Sequence, residues 1–199
     1  MRIGVIDIQG DVDEHLNVFK LLDDRIDMVR IKDAGMVSYC DGIVIPGGES
    51  TTIGKGLKKK GMFDEIKDFG MSGKPILGTC AGLILLSKEV YREERDDLIG
   101  LLDICVERNS YGRQKESFET EVCLNYNDCK KMFNAVFIRA PVIKKVGNNV
   151  TVLAKYNNNP IAVMEKNVIG LCFHPELSND LTFHDIFLKL VRSNLKNKD

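Results

Sequence analysis

Short apolar runs alternate with helical stripes through the first half of the chain. Residues 3–8, 28–31 and 42–45 are mostly apolar segments of strand length, and the last of them enters a Gly-Gly turn. Asp11 is a predicted N-cap, and the helix after it presents one inward stripe: Val12, His15, Leu16, Phe19 and Leu22. This order of strand, helix and strand predicts an α/β fold with a flavodoxin-like, doubly wound and mostly parallel sheet, in three α/β/α layers.

The second half of the chain has a different pattern. Four segments alternate between apolar and polar side chains, which predicts antiparallel or mixed strands added to the sheet: residues 118–122 and parts of 135–138, 150–153 and 161–164. Residues 168–173 are the last predicted strand, and the closing helix has a core-facing stripe of Phe183, Ile186, Phe187, Leu190 and Val191. Because no linker or repeat interrupts the pattern, residues 1–199 are expected to form a single domain.

The composition is that of an ordinary globular protein. Of 199 residues, 44% are hydrophobic and 29% are charged, and the formal net charge is -1. A net charge this close to zero argues against non-specific electrostatic binding to nucleic acid or to an anionic membrane. The chain meets an acid at Asp7, too soon for a signal peptide, and no apolar run approaches ~18 residues. We therefore expect a soluble, cytoplasmic protein with no nucleic-acid or membrane partner.

The cysteines and histidines do not form a metal-binding pattern. The six cysteines stand at positions 40, 80, 105, 123, 129 and 172, without a C-x-x-C pair, and the chain has only three histidines. In a cytoplasmic protein such cysteines are expected to be reduced. We therefore expect no disulfide, no metal ion and no cofactor.

The sequence Gly-Thr-Cys-Ala-Gly at residues 78–82 joins one apolar run to another. Its spacing predicts a strand that ends at Thr79, a helix that begins near Ala81 and a sharp turn at Cys80. Gly-x-Cys-x-Gly is the thiol form of the nucleophile elbow, in which small neighbours leave room for a turn that presents the nucleophile. The helix start also offers free backbone N–H groups that favour a thiolate or an oxyanion. Taken alone, the motif also fits a buried structural cysteine.

The sequence His-Pro-Glu at residues 174–176 follows the last predicted strand. Because the carboxyl ends of parallel strands meet at one edge of the sheet, His174 is expected to face the same rim as Cys80 and the loop at 47–50. Glu176 can fold back to the imidazole Nδ1, which gives a base with an orienting acid. A free thiol of pKa ~8.5 is mostly protonated at neutral pH, so an attacking Cys80 needs such a base.

Other polar and thiol side chains have structural interpretations. Ser50 is predicted to cap a helix that starts at the next residue. His15 is interpreted as a histidine packed at a helix edge, since no acid or thiol is patterned with it. His184 falls off the stripe of the closing helix and is expected to be exposed. Cys172 shares a strand face with His174 but has no elbow around it, so a buried packing role is expected.

Three motifs together resemble the class I, triad-type glutamine amidotransferase family: the elbow at 78–82, Pro-Gly-Gly-Glu-Ser-Thr-Thr at 46–52 and Phe-His-Pro-Glu at 173–176. Segments at 106–114, 117–119 and 137–141 narrow the resemblance to the glutaminase subunits of pyridoxal 5'-phosphate synthase. The similarity spans nearly the whole chain. Asp7 and Val142 depart from it, because relatives commonly have a small residue and a histidine at these places.

The resemblance implies hydrolysis of L-glutamine to L-glutamate and ammonia. Cys80 would attack the side-chain amide, His174 would carry the proton to the leaving ammonia, and Glu176 would orient His174. Backbone N–H groups of Gly48 and Ala81 would form the oxyanion hole. The residues implied to line the glutamine site are Gly48, Glu49, Ser50, Arg108, Ile138 and Arg139. Among these, the charged side chains suit the carboxylate and ammonium of an amino acid, with the individual pairings left open.

The resemblance also implies a partner. Ammonia in neutral water is mostly protonated, so it is useful only when it passes to a second active site without meeting solvent. In this family that site belongs to the synthase subunit, which builds pyridoxal 5'-phosphate and activates the glutaminase on docking. The rim at residues 9–10 and the oxyanion loop are the candidate contacts.

Two other functions fit parts of the same pattern. One is the glutaminase subunit of another amidotransferase, such as the imidazole glycerol phosphate synthase of histidine biosynthesis. The other is a non-glutaminase protein of related sheet architecture with a reactive cysteine. Proteins of the second kind usually lack a His-Pro-Glu after the last strand, and this chain has one at 174–176.

Overall fold

A computed structural model describes residues 1–108, 117–126 and 129–197. The strands are β1 (Arg2–Ile6), β2 (Asp27–Ile31), β3 (Gly42–Ile45), β4 (Ile76–Thr79), β5 (Ser87–Val90), β6 (Leu102–Glu107), β7 (Ser117–Tyr126), β8 (Cys129–Ile138), β9 (Val142–Val146), β10 (Thr151–Tyr156), β11 (Asn159–Glu165) and β12 (Val168–Leu171). The helices are α1 (Val12–Leu22), α2 (Ser50–Lys59), α3 (Phe63–Met71), α4 (Ala81–Leu86) and α5 (Thr182–Lys196). No helix among these residues is both long and apolar enough to cross a membrane.

A nine-stranded sheet forms the centre of the fold. One part of it is parallel, in the order β2-β1-β3-β4-β12. The strands β11, β10, β7 and β8 extend it with antiparallel pairing. Helix α1 contacts α5, whereas α2 contacts α3 and α4, so the helices form two groups. The predicted α/β fold, mostly parallel with added antiparallel strands, is confirmed.

The burial of the strands explains their composition. Every residue of β3, β4 and β12 is buried, because helices cover the parallel part of the sheet. Strand β7 instead alternates between more and less exposed side chains. Four residues of the predicted α5 stripe are buried, and Leu190 is partly buried against the same core. The apolar periodicity therefore located both kinds of strand and the closing helix.

The small sheet was not predicted. It has three strands in the order β5-β6-β9, with β5 parallel and β9 antiparallel to β6. Its edge strand β5 reads Ser-Lys-Glu-Val, with the two charged residues exposed between two buried ones. A four-residue strand of this kind has too short a pattern to distinguish it from a loop.

The N-cap of α2 is not the residue that the sequence predicted. Glu49 is the N-cap, and its carboxylate accepts the backbone N–H groups of Thr51 and Thr52. Ser50 is instead buried, and its hydroxyl accepts a hydrogen bond from Arg95. The prediction for Ser50 is wrong because a charged acceptor with two oxygens binds both free N–H groups more strongly than one hydroxyl does.

The predicted exposure of His184 is wrong. Its side chain is fully buried, with the ring 5.0 Å from that of Phe19 and Nε2 2.9 Å from Nδ1 of His15. The stripe on α5 accounts for the face that meets the sheet. Helix α1 covers a further side of α5, and the sequence of α5 alone does not record that contact.

A buried ion pair fixes the start of α2. Arg95 donates two hydrogen bonds of 2.7 Å to Asp97, and it also donates to the hydroxyl and the backbone carbonyl of Ser50. The side chains of Arg95 and Asp97 are 6% and 7% exposed. Gly54 leaves the room that Asp97 occupies, since a Cβ there would come within 2.2 Å of its carboxylate. Because Ser50 directly follows the glycine loop, this pair anchors one end of that loop.

Replacing Arg95 with methionine is expected to lower the free energy of unfolding by about 3–5 kcal/mol, because Asp97 then remains buried without a cation. The double variant Arg95→Met/Asp97→Leu removes both charges and should regain part of the loss. Urea denaturation of the three proteins measures this difference. A double variant at least as unstable as Arg95→Met would contradict the buried-charge explanation.

Candidate active site

The carboxyl ends of β1, β3, β4 and β12 border one cavity of about 370 Å³. Ligands of open α/β sheets bind at this edge, where neighbouring strands lead to opposite sides of the sheet. Most of the predicted site residues line the cavity: Gly48, Glu49, Ser50, Cys80, Arg108, Ile138, Arg139 and His174. Of the other two, Ala81 follows Cys80 in the chain and Glu176 is hydrogen-bonded to His174.

Cys80 lies on a sharp turn between a strand and a helix. β4 ends at Thr79 and α4 begins at Ala81, so the predicted boundaries are confirmed. The backbone of Cys80 has φ 46° and ψ -95°, a conformation that residues with a Cβ rarely adopt. Its N–H donates to the carbonyl of Leu171, the last residue of β12, over 2.8 Å. The turn leaves Cys80 on the cavity wall with 7% of its surface exposed.

The two glycines of the elbow are required by close packing. A Cβ on Gly82 would come within 2.1 Å of the carbonyl oxygen of Ile45 in β3. A Cβ on Gly78 would come within 2.8 Å of the carbonyl carbon of Gly82 and 2.5 Å of the Leu86 side chain. The prediction that these glycines provide space for the turn is confirmed.

His174 and Glu176 form a hydrogen-bonded pair beside Cys80. The Nδ1 atom of His174 lies 2.8 Å from Oε1 of Glu176, and both side chains are buried. Glu176 is held in a single helical turn, Pro175–Leu177, that begins directly after His174. The backbone N–H of His174 donates to the carbonyl of Val136 in β8. The fold thus brings together the thiol, imidazole and carboxylate that the two sequence motifs predicted.

Asp11 is a second carboxylate at the same imidazole. Its Oδ2 atom lies 3.1 Å from Nδ1 of His174. The sequence predicted Asp11 only as the N-cap of α1, but its side chain makes no cap hydrogen bond. One signal pointed to the site: Asp11 follows Gln9-Gly10, at the rim where β1 ends.

The two carboxylates alter the protonation of His174. Burial opposes a charge on the imidazole, but hydrogen bonds with Asp11, Cys80 and Glu176 outweigh it and raise the pKa of His174. The bond to His174 lowers the pKa of Asp11. Burial raises the pKa of Glu176, and the interactions with the imidazole of His174 offset only part of this rise. Because both carboxylates face the ring of His174, the main effect of this arrangement is the raised pKa of His174.

The Gly47-Gly48 loop packs against the imidazole without intervening side chains. A Cβ on Gly47 would come within 2.4 Å of Cε1 of His174. Gly48 has φ 149°, in a region that favours glycine. The next N–H, of Glu49, donates to the side-chain oxygen of Gln9 over 2.8 Å. The loop backbone can therefore approach a ligand that lies beside His174.

Glu49 both lines the cavity and holds the start of α2. Its carboxylate accepts hydrogen bonds from the backbone and side chains of Thr51 and Thr52. Burial acts against the charge, but these hydrogen bonds outweigh it and lower the pKa of Glu49 to about 2. One oxygen also lies 3.5 Å from Nη2 of Arg108. The carboxylate is therefore ionised and already has partners within the protein.

The two arginines of the cavity differ in their partners. Arg108 pairs with Glu93 at 3.1 Å as well as with Glu49. Arg139 is exposed, has φ 43° and forms no ion pair with any residue in 1–108, 117–126 or 129–197. Ile138, just before it, presents a carbonyl oxygen 3.9 Å from Sγ of Cys80. Of the two arginines of the cavity, Arg139 is therefore the one that can pair with an anionic group of a ligand.

Several sequence predictions concern residues around the site. Cys172 is fully buried, and burial raises the pKa of its thiol, so its packing role is confirmed. Asp7 pairs with Arg30 and Lys32, and Val142 is half-buried in β9, so neither departure from the family pattern lines the cavity. The part of the resemblance at 109–114 lies outside the described residues.

Within the part of the chain that the structure describes, Asp11, His174 and Glu176 are the one group whose atoms are close enough to share a metal ion. Both carboxylates, however, already approach the same Nδ1 atom, at 3.1 and 2.8 Å. These are hydrogen-bond distances, and they occupy the nitrogen that a metal would need. The group is an imidazole held by two acids.

Comparison with known proteins gives the same picture. The sequence profile described as the SNO glutamine amidotransferase family matches residues 5–193. The chain is 48% identical over 195 residues to pyridoxal 5'-phosphate synthase subunit PdxT of Methanocella arvoryzae, and 46% identical over 197 residues to that of Archaeoglobus fulgidus. Each alignment covers 96% of this chain and 98% of the relative.

Solved structures agree with these matches. A crystal structure of a glutamine amidotransferase has a TM-score of 0.89 at 38% identity, and the match covers 95% of this chain and 98% of the other. The structure of PurLQS from Thermotoga maritima, at 18% identity and a TM-score of 0.70, shares the fold over 99% of this chain and 98% of its own. The profile, the relatives and the solved structure together cover nearly the whole sequence. This chain therefore belongs to the SNO glutamine amidotransferase family.

Proposed function

We propose that this protein hydrolyses L-glutamine to L-glutamate and ammonia and delivers the ammonia to the synthase subunit of pyridoxal 5'-phosphate synthase. The observation that carries the proposal is the cavity where Cys80, on its strained turn, meets an imidazole bonded to Glu176. The relatives named as subunits of pyridoxal 5'-phosphate synthase support this pathway over histidine biosynthesis. Family membership also weighs against a reactive-cysteine protein without glutaminase activity.

His174 holds the proton of the Cys80 thiol as an imidazolium, and the sulfur of Cys80 attacks the amide carbon of glutamine. The carboxylates of Asp11 and Glu176 at Nδ1 stabilise the imidazolium that forms, which makes His174 a stronger base. The imidazolium then protonates the leaving nitrogen, so ammonia departs and a glutamyl thioester remains. Water gives a proton to the same imidazole and cleaves the thioester to glutamate, which restores Cys80 beside the imidazolium.

Backbone N–H groups stabilise the oxyanion formed in each step. Ala81 is the first residue of α4, so its N–H has no partner within the helix. Gly48 lies on the loop that packs against His174 and lines the same cavity as Cys80. These two N–H groups are the proposed oxyanion hole, as donors that are fixed before the charge appears.

The cavity supplies groups for the amino-acid end of glutamine. Arg139 binds the α-carboxylate, because Arg108 already faces two carboxylates. Glu49 and the carbonyl of Ile138 are acceptors for the ammonium group. Ser50 and Gly48 shape the wall at the start of α2. Arg108 acts through Glu49 and keeps that carboxylate on the cavity wall.

The surroundings of the cavity suit transfer of the ammonia. Residues 9–10 and the part of the oxyanion loop at 48–50 line the cavity, and they are the proposed contact with the synthase subunit. A partner seated there excludes water, so the product passes on as neutral ammonia. We assign this activity to the cytoplasm and to one glutaminase domain spanning residues 1–199.

Replacing Cys80 with alanine is expected to abolish glutamate release in the presence of the synthase subunit, because no thioester can form. A diazo-ketone analogue of glutamine should label Cys80 of the wild-type protein. Glutamate assays and peptide mass mapping measure the two effects. The matched control is Cys172→Ala, which changes a thiol that is fully buried and should keep both activity and labelling. A label on Cys172 would disprove the assignment of the nucleophile.

Replacing Arg139 with glutamine is expected to raise KM for glutamine by about 10- to 100-fold with a smaller change in kcat, because a charge-assisted hydrogen bond to the carboxylate is lost. Steady-state kinetics of the complex measures both constants. Arg92→Gln is the matched control, an exposed arginine that also has a positive φ and does not line the cavity. An unchanged KM in Arg139→Gln would exclude this arginine as the carboxylate partner.

Replacing Asp11 with asparagine is expected to lower the pKa of His174, because one of the two carboxylates that favour the imidazolium is removed. In the wild type the pKa of the folded state lies above the unfolded value of ~6.5. The stabilisation from this charge is therefore complete below the unfolded value and is lost as pH rises through the folded one. Because the folded-state pKa of His174 is lower in Asp11→Asn, this stabilisation should be fully lost at a lower pH than in the wild type.

Ring titration by NMR measures this pKa directly. Asp13→Asn makes the same change on α1, at an acid that contacts Arg30, and should leave the titration of His174 unaltered. Identical titration of His174 in wild type and Asp11→Asn would show that Asp11 does not stabilise the imidazolium.

A further inference from the structure

The three histidines of the chain lie in one connected series, although the proposed reaction uses only His174. His15 on α1 and His184 on α5 are fully buried behind Glu176, together with Thr79 at the end of β4. Nδ1 of His15 lies 2.9 Å from Nε2 of His184. On the other side of the ring, Nε2 of His15 lies 3.2 Å from Oγ1 of Thr79 and 3.5 Å from Oε2 of Glu176.

The second oxygen of Glu176 needs a donor. Oε1 is bonded to His174, whereas Oε2 is buried and has no hydrogen-bond partner within normal distance among the described residues. A buried carboxylate oxygen without a donor costs free energy. The nearest nitrogen recorded at this oxygen is Nε2 of His15. A small movement of either side chain would bring the pair into hydrogen-bond range.

Electrostatics selects one arrangement of protons in this pair. If Nε2 of His15 carried no hydrogen, its lone pair would face the carboxylate of Glu176, which is repulsive. We therefore assign the hydrogen to Nε2, and Nδ1 of His15 then accepts from Nε2–H of His184. Burial keeps both rings neutral, lowering the pKa of His15 well below its usual value and that of His184 to about 3.

We propose that His15 is a positioning residue for the catalytic acid: it donates Nε2–H to the second oxygen of Glu176, and His184 fixes the tautomer that makes this possible. The proposal rests on the proposed glutaminase function. With Oε2 held, the carboxylate cannot rotate away from His174, and Oε1 stays directed at Nδ1. A neutral donor does this without competing for the proton that His174 transfers.

The tautomer provides a test that does not depend on activity. With ring-¹⁵N-labelled histidine, only three side chains give signals. We expect His15 to be neutral at pH 7 with its hydrogen on Nε2 and none on Nδ1, and His184→Leu to disturb that state. A hydrogen on Nδ1 of His15 in the wild-type protein would overturn the proposal.

Kinetics of the complex with the synthase subunit tests the positioning role. His15→Leu is expected to lower kcat about tenfold or more with little change in KM, the usual size of effect when a partner that orients a catalytic group is lost. His15→Gln keeps an amide N–H near the place of Nε2 and should restore most of kcat. Val191→Ala, a change at a fully buried residue elsewhere on α5, controls for lost stability.

The pH profile separates positioning from simple packing. The groups that face Glu176 are His174, His15 and Asp11. Removing the donor makes the carboxylate harder to ionise, so the acid limb of kcat in His15→Leu should move to higher pH. An unshifted limb with wild-type kcat would overturn the proposal. A wild-type complex that releases no glutamate would instead overturn the proposed function, and the tautomer measurement would still decide the role of His15.

Discussion

The turn between β4 and α4 is the constraint on which the site depends. Cys80 is held at φ 46°, and a residue in so sparsely populated a region costs on the order of 1–3 kcal/mol. The fold sustains this conformation because Gly82 packs on the backbone of Ile45 and the N–H of Cys80 is bonded to Leu171. Since β12 ends at Leu171 and leads to His174, the bond that supports the turn of the nucleophile also fixes its place relative to the base.

The buried polar groups near Cys80 show that hydrogen bonds decide whether a buried proton acceptor carries a charge. Burial alone would favour the neutral forms of imidazole and carboxylate. Two acids at one nitrogen reverse this for His174, whereas burial keeps the rings of His15 and His184 neutral, although one oxygen of Glu176 lies 3.5 Å from His15. Similar side chains therefore carry different charges within one connected series, according to the hydrogen bonds around each.

The glycine loop is held in a different way. Polar contacts fix the end of the loop that enters α2: Gln9 accepts the N–H of Glu49, Glu49 caps α2, and Arg95 binds Ser50. The contacts of Gln9 and Glu49 are exposed and can be exchanged for others at low net cost, whereas the buried pair of Arg95 and Asp97 holds Ser50 in place. A loop fixed in this way suits a site that is completed by docking, whereas every residue of β3, β4 and β12 is buried in the packed core.

The sequence by itself determined the parallel half of the sheet, the closing helix and the turn at Cys80, because periodicity and the need for glycine are properties of neighbouring residues. It also paired His174 with Glu176, two positions apart. Only the tertiary structure decided that Asp11 joins them, that Glu49 rather than Ser50 caps α2, and that His184 is buried. The pair of His15 and His184 is separated by 169 positions. Local patterns show which side of an element is apolar, but hydrogen-bond partners across the core are fixed only when the helices pack.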